Sequence, residues 1–209
     1  QTSSFSSVWL TGGGHLLITN SAGERIGYDG GTFVDEMSGV SVLPPPPGGL
    51  GPGVEPEYTL PTTDTYKITL DGQTVEQTEK VAVTHLMGDS VASVEEIALE
   101  PDSKAELEFG ADGSILFQPR NSEEVRLYVG VDKRDETYHL AIEKMDVRSG
   151  ALVSFWADID GERLTLDNAS GSDGNYNLRL NWVSKSGVRD FVYRDVEVQA
   201  GAVHTLDYG

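Results

Sequence analysis

Apolar and polar residues alternate one for one along most of this chain. The pattern is clear in "TYKITL" (Thr65 to Leu70), "KVAVTHL" (Lys80 to Leu86), "KAELEF" (Lys104 to Phe109), "EVRLYVGV" (Glu124 to Val131) and "TYHLAIEK" (Thr137 to Lys144). It continues in "ALVSFWADI" (Ala151 to Ile159), "NYNLRLNWV" (Asn175 to Val183) and "RDFVYRDVEV" (Arg189 to Val198), with shorter runs at "HLLITN" (His15 to Asn20) and "EYTL" (Glu57 to Leu60). Residues i and i+2 share a face of a strand, so each run predicts a strand with one buried face. Asn20-Ser21-Ala22-Gly23, Asp29-Gly30-Gly31, Asp71-Gly72, Asp112-Gly113, Asp160-Gly161, Ser172-Asp173-Gly174 and Ser186-Gly187 separate the runs and supply the positive-φ positions that hairpins need. Many short strands at regular spacing predict an all-β fold of antiparallel β-sandwich type, Ig-like or jelly-roll-like. One stretch reads two ways: in Val91 to Leu99, Val91, Val94, Glu95 and Ala98 also fall at helical spacing.

An internal comparison favours the strand. Glu79 to Gly110 aligns without gaps on Leu178 to Gly209, matching Gly88 with Gly187, Ile97 with Val196, Leu99 with Val198, Leu107 with Leu206 and Phe109 with Tyr208. A second echo relates "DTYKITLDG" from Asp64 to "ETYHLAIEK" from Glu136. Together they predict two related units in tandem, residues 1–110 and 111–209, rather than a solenoid of many short repeats. On that division the "PPPPGGLGPG" stretch, 44–53, is a surface loop inside the first unit. Its prolines favour an extended path and its glycines allow sharp bends.

Charge and composition narrow the function. With 34 acidic residues against 15 Lys plus Arg, the net charge is -19. Such a surface repels phosphate backbones and anionic lipid heads, so neither nucleic acid nor membrane is an expected partner. No apolar run approaches the roughly 18 residues that a spanning helix needs. The chain has no cysteine, which excludes disulfides, thiolate zinc sites and thiol catalysis. Its start, "QTSSFSSVWL", has the look of a mature product whose targeting segment is gone, so export is expected.

"HLLITNSAGERIGYDG" followed by "GPGVEPEYTLPTTDTYKITLDG" resembles β-sandwich modules of secreted bacterial multidomain proteins, with a pattern LxITxxxGxRxGxD, then GPGxEPEY, then YxIxL. The matching residues include Leu17, Thr19, Gly23, Arg25, Gly27, Asp29, Glu55, Tyr58, Tyr66 and Ile68, and the closing "VEVQAGAVHTLDYG" resembles the last strands of such modules. The resemblance implies an exported, non-catalytic accessory or surface module and carries over no catalytic residue. Those modules usually trail an enzyme or another large domain, so an independent subunit and an excised piece are both consistent with it.

The remaining residues offer three candidate sites. Asp158, Asp160, Glu162 and Asp167 are hard oxygen donors around an Asp-Gly turn, suited to calcium, although the full twelve-residue loop pattern is missing and an ordinary hairpin accounts for them too. Alternation sends Trp156 and Tyr128 to the face opposite the apolar side chains of their strands, where they could stack on sugar rings or pack on a neighbouring domain. Phe5, Val8, Trp9 and Leu10 could form a strand that adds to an open sheet edge, in this chain or in another. There is no GxSxG or HExxH motif, and His15, His85, His139 and His204 are spread one per strand, so no enzyme and no cofactor, calcium apart, is expected. The expected role is a secreted structural or adhesive protein at the cell surface, self-associating into a filament or surface layer or contacting neighbouring extracellular domains. A carbohydrate- or calcium-binding accessory module of a secreted enzyme, with glycans as partners, is the alternative.

Overall fold

The computed structural model describes residues 4–44, 55–110, 113–133, 135–169 and 171–208. All of its regular structure is strand. The chain opens with β1 (Phe5–Thr11), β2 (His15–Asn20), β3 (Arg25–Asp29), β4 (Thr32–Asp35), β5 (Ser41–Leu43), β6 (Glu57–Pro61) and β7 (Tyr66–Asp71). It continues through β8 (Glu79–Met87), β9 (Ser90–Leu99), β10 (Lys104–Phe109), β11 (Ile115–Gln118), β12 (Glu123–Lys133) and β13 (Glu136–Val147). The last strands are β14 (Val153–Asp158), β15 (Arg163–Asn168), β16 (Gly174–Ser184), β17 (Gly187–Val198) and β18 (Val203–Asp207).

They form two antiparallel nine-stranded sheets, ordered β17-β16-β13-β12-β9-β8-β1-β6-β5 and β18-β15-β14-β11-β10-β7-β2-β3-β4. The alternation read from the sequence decides what faces inward. Tyr66, Ile68 and Leu70 of β7 are buried while Lys67 points out, and Phe117 and Phe155 are fully buried in the layer between the sheets. From β8 onward hairpins are laid alternately in the two sheets: β8-β9, then β10-β11 opposite, then β12-β13, β14-β15, β16-β17 and a single β18. The sandwich therefore grows sideways by four strands, four again and then three.

The aligned segments Glu79 to Gly110 and Leu178 to Gly209 occupy equivalent places, β8-β9-β10 and β16-β17-β18, and β12-β13-β14 is an intermediate copy that the alignment did not register. The second echo relates strands of different sheets, β7 and β13, so it is not a structural equivalence. Gly110 lies in the turn between β10 and β11. These two strands pair, and β9 pairs β12, so both sheets run without a break past the expected unit boundary. Of the proline-glycine stretch, 45–53 lies outside the described residues; the strands before and after it, β5 and β6, are paired neighbours.

The hairpins β8-β9, β12-β13 and β16-β17 of the first sheet each carry one bulge at the same place. The register shifts between Val81 and Val83, between Val125 and Leu127, and between Tyr176 and Leu178. The extra residues are Glu95-Glu96, Glu143-Lys144 and Arg194-Asp195, and the second of each pair is left-handed, at φ 64°, 54° and 54°. The bulge resolves the ambiguity of Val91 to Leu99, which is strand β9. One extra residue puts Val94 and Ile97, three apart, on the same inner face, which mimics helical spacing.

Candidate functional site

The two sheets differ at their ends. At the β17/β18 end, both edge strands have one paired side only, β17 with β16 and β18 with β15. The inner face there is left open. Phe191 and Tyr193 face inward opposite Leu180 and Leu178, yet they are 43% and 46% exposed. Ala92 and Val94 hold the same positions in β9 and are 4% and 0% exposed, because β12 lies beside β9. Val183, Val188, Phe191, Val192, Tyr193 and Val203 make up more than half of the large apolar side chains exposed among the described residues. Such clustering on one edge marks a contact surface rather than scattered surface hydrophobicity.

Between β17 and β18 the open face forms a trough. One part is a cleft of about 550 Å³ lined by Tyr138, Glu162, Trp182, Arg189, Phe191 and Tyr208. An adjoining cavity of about 400 Å³ lies along Tyr193, Tyr176, Leu166 and His204. Tyr138 stacks on Trp182 at 6.1 Å and 8°, and the Arg189 guanidinium lies 4.6 Å from the Trp182 ring centroid. Burial, together with a hydrogen bond to Glu136, pushes the Tyr138 hydroxyl up to about 12, so it stays a donor at any physiological pH. Tyr176 and His204 meet across the gap, hydroxyl to Nδ1 at 3.0 Å, tying the two sheets together near the opening.

The residues singled out from the sequence lie elsewhere. Asp158 accepts a hydrogen bond from the Gly161 amide at 2.9 Å, bracing the turn, and Asp160 pairs with Lys133. Asp167 sits on β15 opposite Ser154, and Glu162 takes a left-handed φ of 51° in the turn before β15. Among the described residues no three His, Asp or Glu side chains gather to hold a metal ion. Trp156, on the outer face of the second sheet, lies directly opposite buried Thr165. Tyr128 lies on the outer face of the first sheet, where its hydroxyl meets His139 Nδ1 at 2.6 Å and Arg126 sits 5.4 Å from its ring. The two aromatics are thus on opposite outer faces and do not form one site. In β1, Val8 and Leu10 are buried and Phe5 is exposed; with Trp9 they belong to an inner strand that β6 and β8 flank on both sides.

Of the residues of the resemblance pattern, Glu55 and Tyr58 belong to a buried network, whereas Arg25 and Asp29 are linked at the surface. Glu55 accepts hydrogen bonds from the Leu16 amide at 3.0 Å and the Tyr58 hydroxyl at 2.6 Å, and meets His15 Nδ1 at 2.8 Å, with its side chain fully enclosed. Burial, then the charge of Glu55, drives the Tyr58 ionisation far upward. Tyr28 stacks on His15 at 4.1 Å, and Arg25 joins Asp29 and Glu36 at 2.6 and 2.7 Å. Gly27, at φ 114°, is required because a Cβ there would run into the Leu16 carbonyl oxygen. These residues hold β2, β3 and β6 in place and open onto no cavity described above.

Compared with known proteins, the chain matches no protein-family model, no curated protein and no solved structure. The reading of the site therefore rests on the geometry. The open edge went unrecognised in the sequence because β17 alternates like any half-buried strand. The one available signal was the size of Phe191 and Tyr193 at the positions where the aligned segment has Ala92 and Val94.

Proposed function

We propose that this is a secreted, non-catalytic structural or adhesive protein of the cell exterior, joined to neighbouring copies or extracellular domains through an open sheet edge. The observation that carries this reading is the free β17/β18 end, with Phe191 and Tyr193 exposed on what is elsewhere the inner face of the sandwich. An unpaired strand edge offers backbone hydrogen bonds to a second strand, and the apolar face beside it supplies specificity. The absence of cysteine, the acidic surface and the resemblance to modules of secreted bacterial proteins agree with an exterior location. Surface proteolysis of intact cells tests it. Cleavage of the protein on whole cells, or recovery from the medium, is expected; a protein found only in the cytosol refutes the reading.

The cleft supports a second reading. The stacked Tyr138 and Trp182, with Glu162 and Asp207 nearby, have the make-up of a sugar-binding platform. Calorimetric titration with a panel of oligosaccharides checks this: binding that Trp182→Ala abolishes would move the protein to the class of carbohydrate-binding accessory modules.

A further inference from the structure

We infer that the partner at the open edge is a second copy of this chain, bound about a two-fold axis through Val192 so that β17 pairs antiparallel with the β17 of its partner. The inference rests on the proposed edge-to-edge function and names the occupant and the register.

Three observations carry it. The first is length. Among the described strands the free edges are β4, β5, β17 and β18, of 4, 3, 12 and 5 residues. Neither short strand at the opposite end can cover β17, whereas another β17 matches it. The second is sequence. Around Val192 the strand reads Arg189-Asp190-Phe191-Val192-Tyr193-Arg194-Asp195, which is complementary to its own reverse. A two-fold axis normal to the sheet keeps inner faces on one side and sets Val192 against Val192, Phe191 against Tyr193, and Asp190 against Arg194. Each ion pair and each aromatic pair then forms twice. Among the described residues Arg194 makes no ion pair, and Asp190 meets Arg179 through two contacts, at 3.3 and 3.4 Å, between half-exposed side chains.

The third is internal precedent. β9 holds the place in the first copy that β17 holds in the last, and its far edge is paired with β12 from Ser90 to Glu95. Glu95, equivalent to Arg194, ends that pairing in an ion pair with the directly opposite Arg126 at 2.6 Å. The edge of β17 up to the first residue of its own bulge, Arg189 to Arg194, is thus a segment that this fold already pairs with a strand and closes with opposite charges. On the inner face, the Phe191 and Tyr193 of each copy cover their counterparts and close both troughs.

Sedimentation velocity in about 0.15 M salt, where long-range repulsion between the acidic copies is screened beyond roughly 8 Å, tests the inference. The expected wild-type species is a dimer. Asp190→Arg and Arg194→Asp each weaken it by about tenfold or more, since each change places like charges opposite one another twice. A one-to-one mixture of the two variants, and the double variant D190R/R194D, restore dimerisation. Far-UV circular dichroism checks that each variant is folded. Because the chain has no cysteine, Val192→Cys gives an unambiguous register readout: a disulfide-linked dimer forms from V192C and not from F191C. A dimer indifferent to charge exchange, or a cross-link from F191C in place of V192C, overturns the inference. So does a wild-type protein that stays monomeric, or one that forms open-ended fibres. Fibres, or a monomer that binds another surface protein, leave the proposed exterior role standing, whereas a cytosolic protein removes that role and not the dimer.

Discussion

Replacing Glu55 by alanine removes the acceptor for three donors at once. Glu55 is fully enclosed, and its carboxylate meets the Leu16 amide at 3.0 Å, the Tyr58 hydroxyl at 2.6 Å and His15 Nδ1 at 2.8 Å. A buried polar group left without a partner costs about 1–3 kcal/mol, and Glu55 serves three. Some relaxation around the small cavity lowers the sum, so about 5 kcal/mol is expected for E55A. For a chain of this size that corresponds to a fall in Tm of about 10–20 °C. Glu55→Gln keeps one oxygen for Leu16 and Tyr58 and turns an amide NH2 toward His15 Nδ1, which accepts it as the other neutral tautomer, so a cost of about 1–2 kcal/mol is expected. Tyr58→Phe removes one donor from an acceptor that keeps Leu16, at a similar cost. Urea denaturation with fitted midpoint and slope measures each, and the E55Q/Y58F double variant gives the coupling between them. A loss below about 1 kcal/mol for E55A at unchanged slope would refute the reasoning, since the carboxylate would then contribute no more than an exposed one.

Two predictions concern pH and one the backbone. Burial beside Phe109 pulls the His85 imidazole down to about 4, against an ordinary value near 6.5 in the unfolded chain. Its neutral form is part of the fold, so stability is fully present above about pH 6.5 and falls as pH drops toward 4, by about 3 kcal/mol for this group; His85→Leu should flatten that limb in a calorimetric Tm series. Burial pushes Glu123 up to about 7, against the opposing pull of the Ala98 amide it accepts at 2.5 Å. Its contribution runs the other way, present below about pH 4.5 and lost as pH rises through 7. The Tm of Glu123→Gln relative to wild type should therefore climb between pH 4.5 and 8; a constant difference would contradict the assignment. Lys144→Gly relieves a left-handed residue in a bulge and should raise stability by about 0.5–1 kcal/mol in urea unfolding, whereas a loss of that size would mean the lysine side chain anchors the bulge.

Much of the fold was legible because strand periodicity is a local property. Every run read as a strand is one, and turns such as Gly30-Gly31, both at positive φ between paired Asp29 and Thr32, follow from glycine chemistry alone. The bulges were legible too: Val94-Glu95-Glu96-Ile97, Ile142-Glu143-Lys144-Met145 and Tyr193-Arg194-Asp195-Val196 share one break in the alternation. That shared break is the mark of the repeated hairpin, and it was obscured because the same spacing also suits a helix. The candidate sites were less legible. Asp158, Asp160, Trp156 and Tyr128 carry suitable chemistry, but whether acids converge or aromatics share a face depends on which strands become neighbours. Alternation is silent on that.

By itself, then, the sequence determined the strand class, the inward face of each strand, the turns and the kinship of Glu79 to Gly110 with Leu178 to Gly209. Only the tertiary structure decided which hairpin goes into which sheet, and hence that β1 is flanked on both sides while β17 is not. The physical reason is that a strand's two faces are written in its own residues, whereas its two edges are the same backbone amides and carbonyls in every strand. Whether an edge is covered depends on what the rest of the chain places beside it. Ala92, beside a paired edge, is buried, and Phe191, beside a free one, is exposed at the equivalent position.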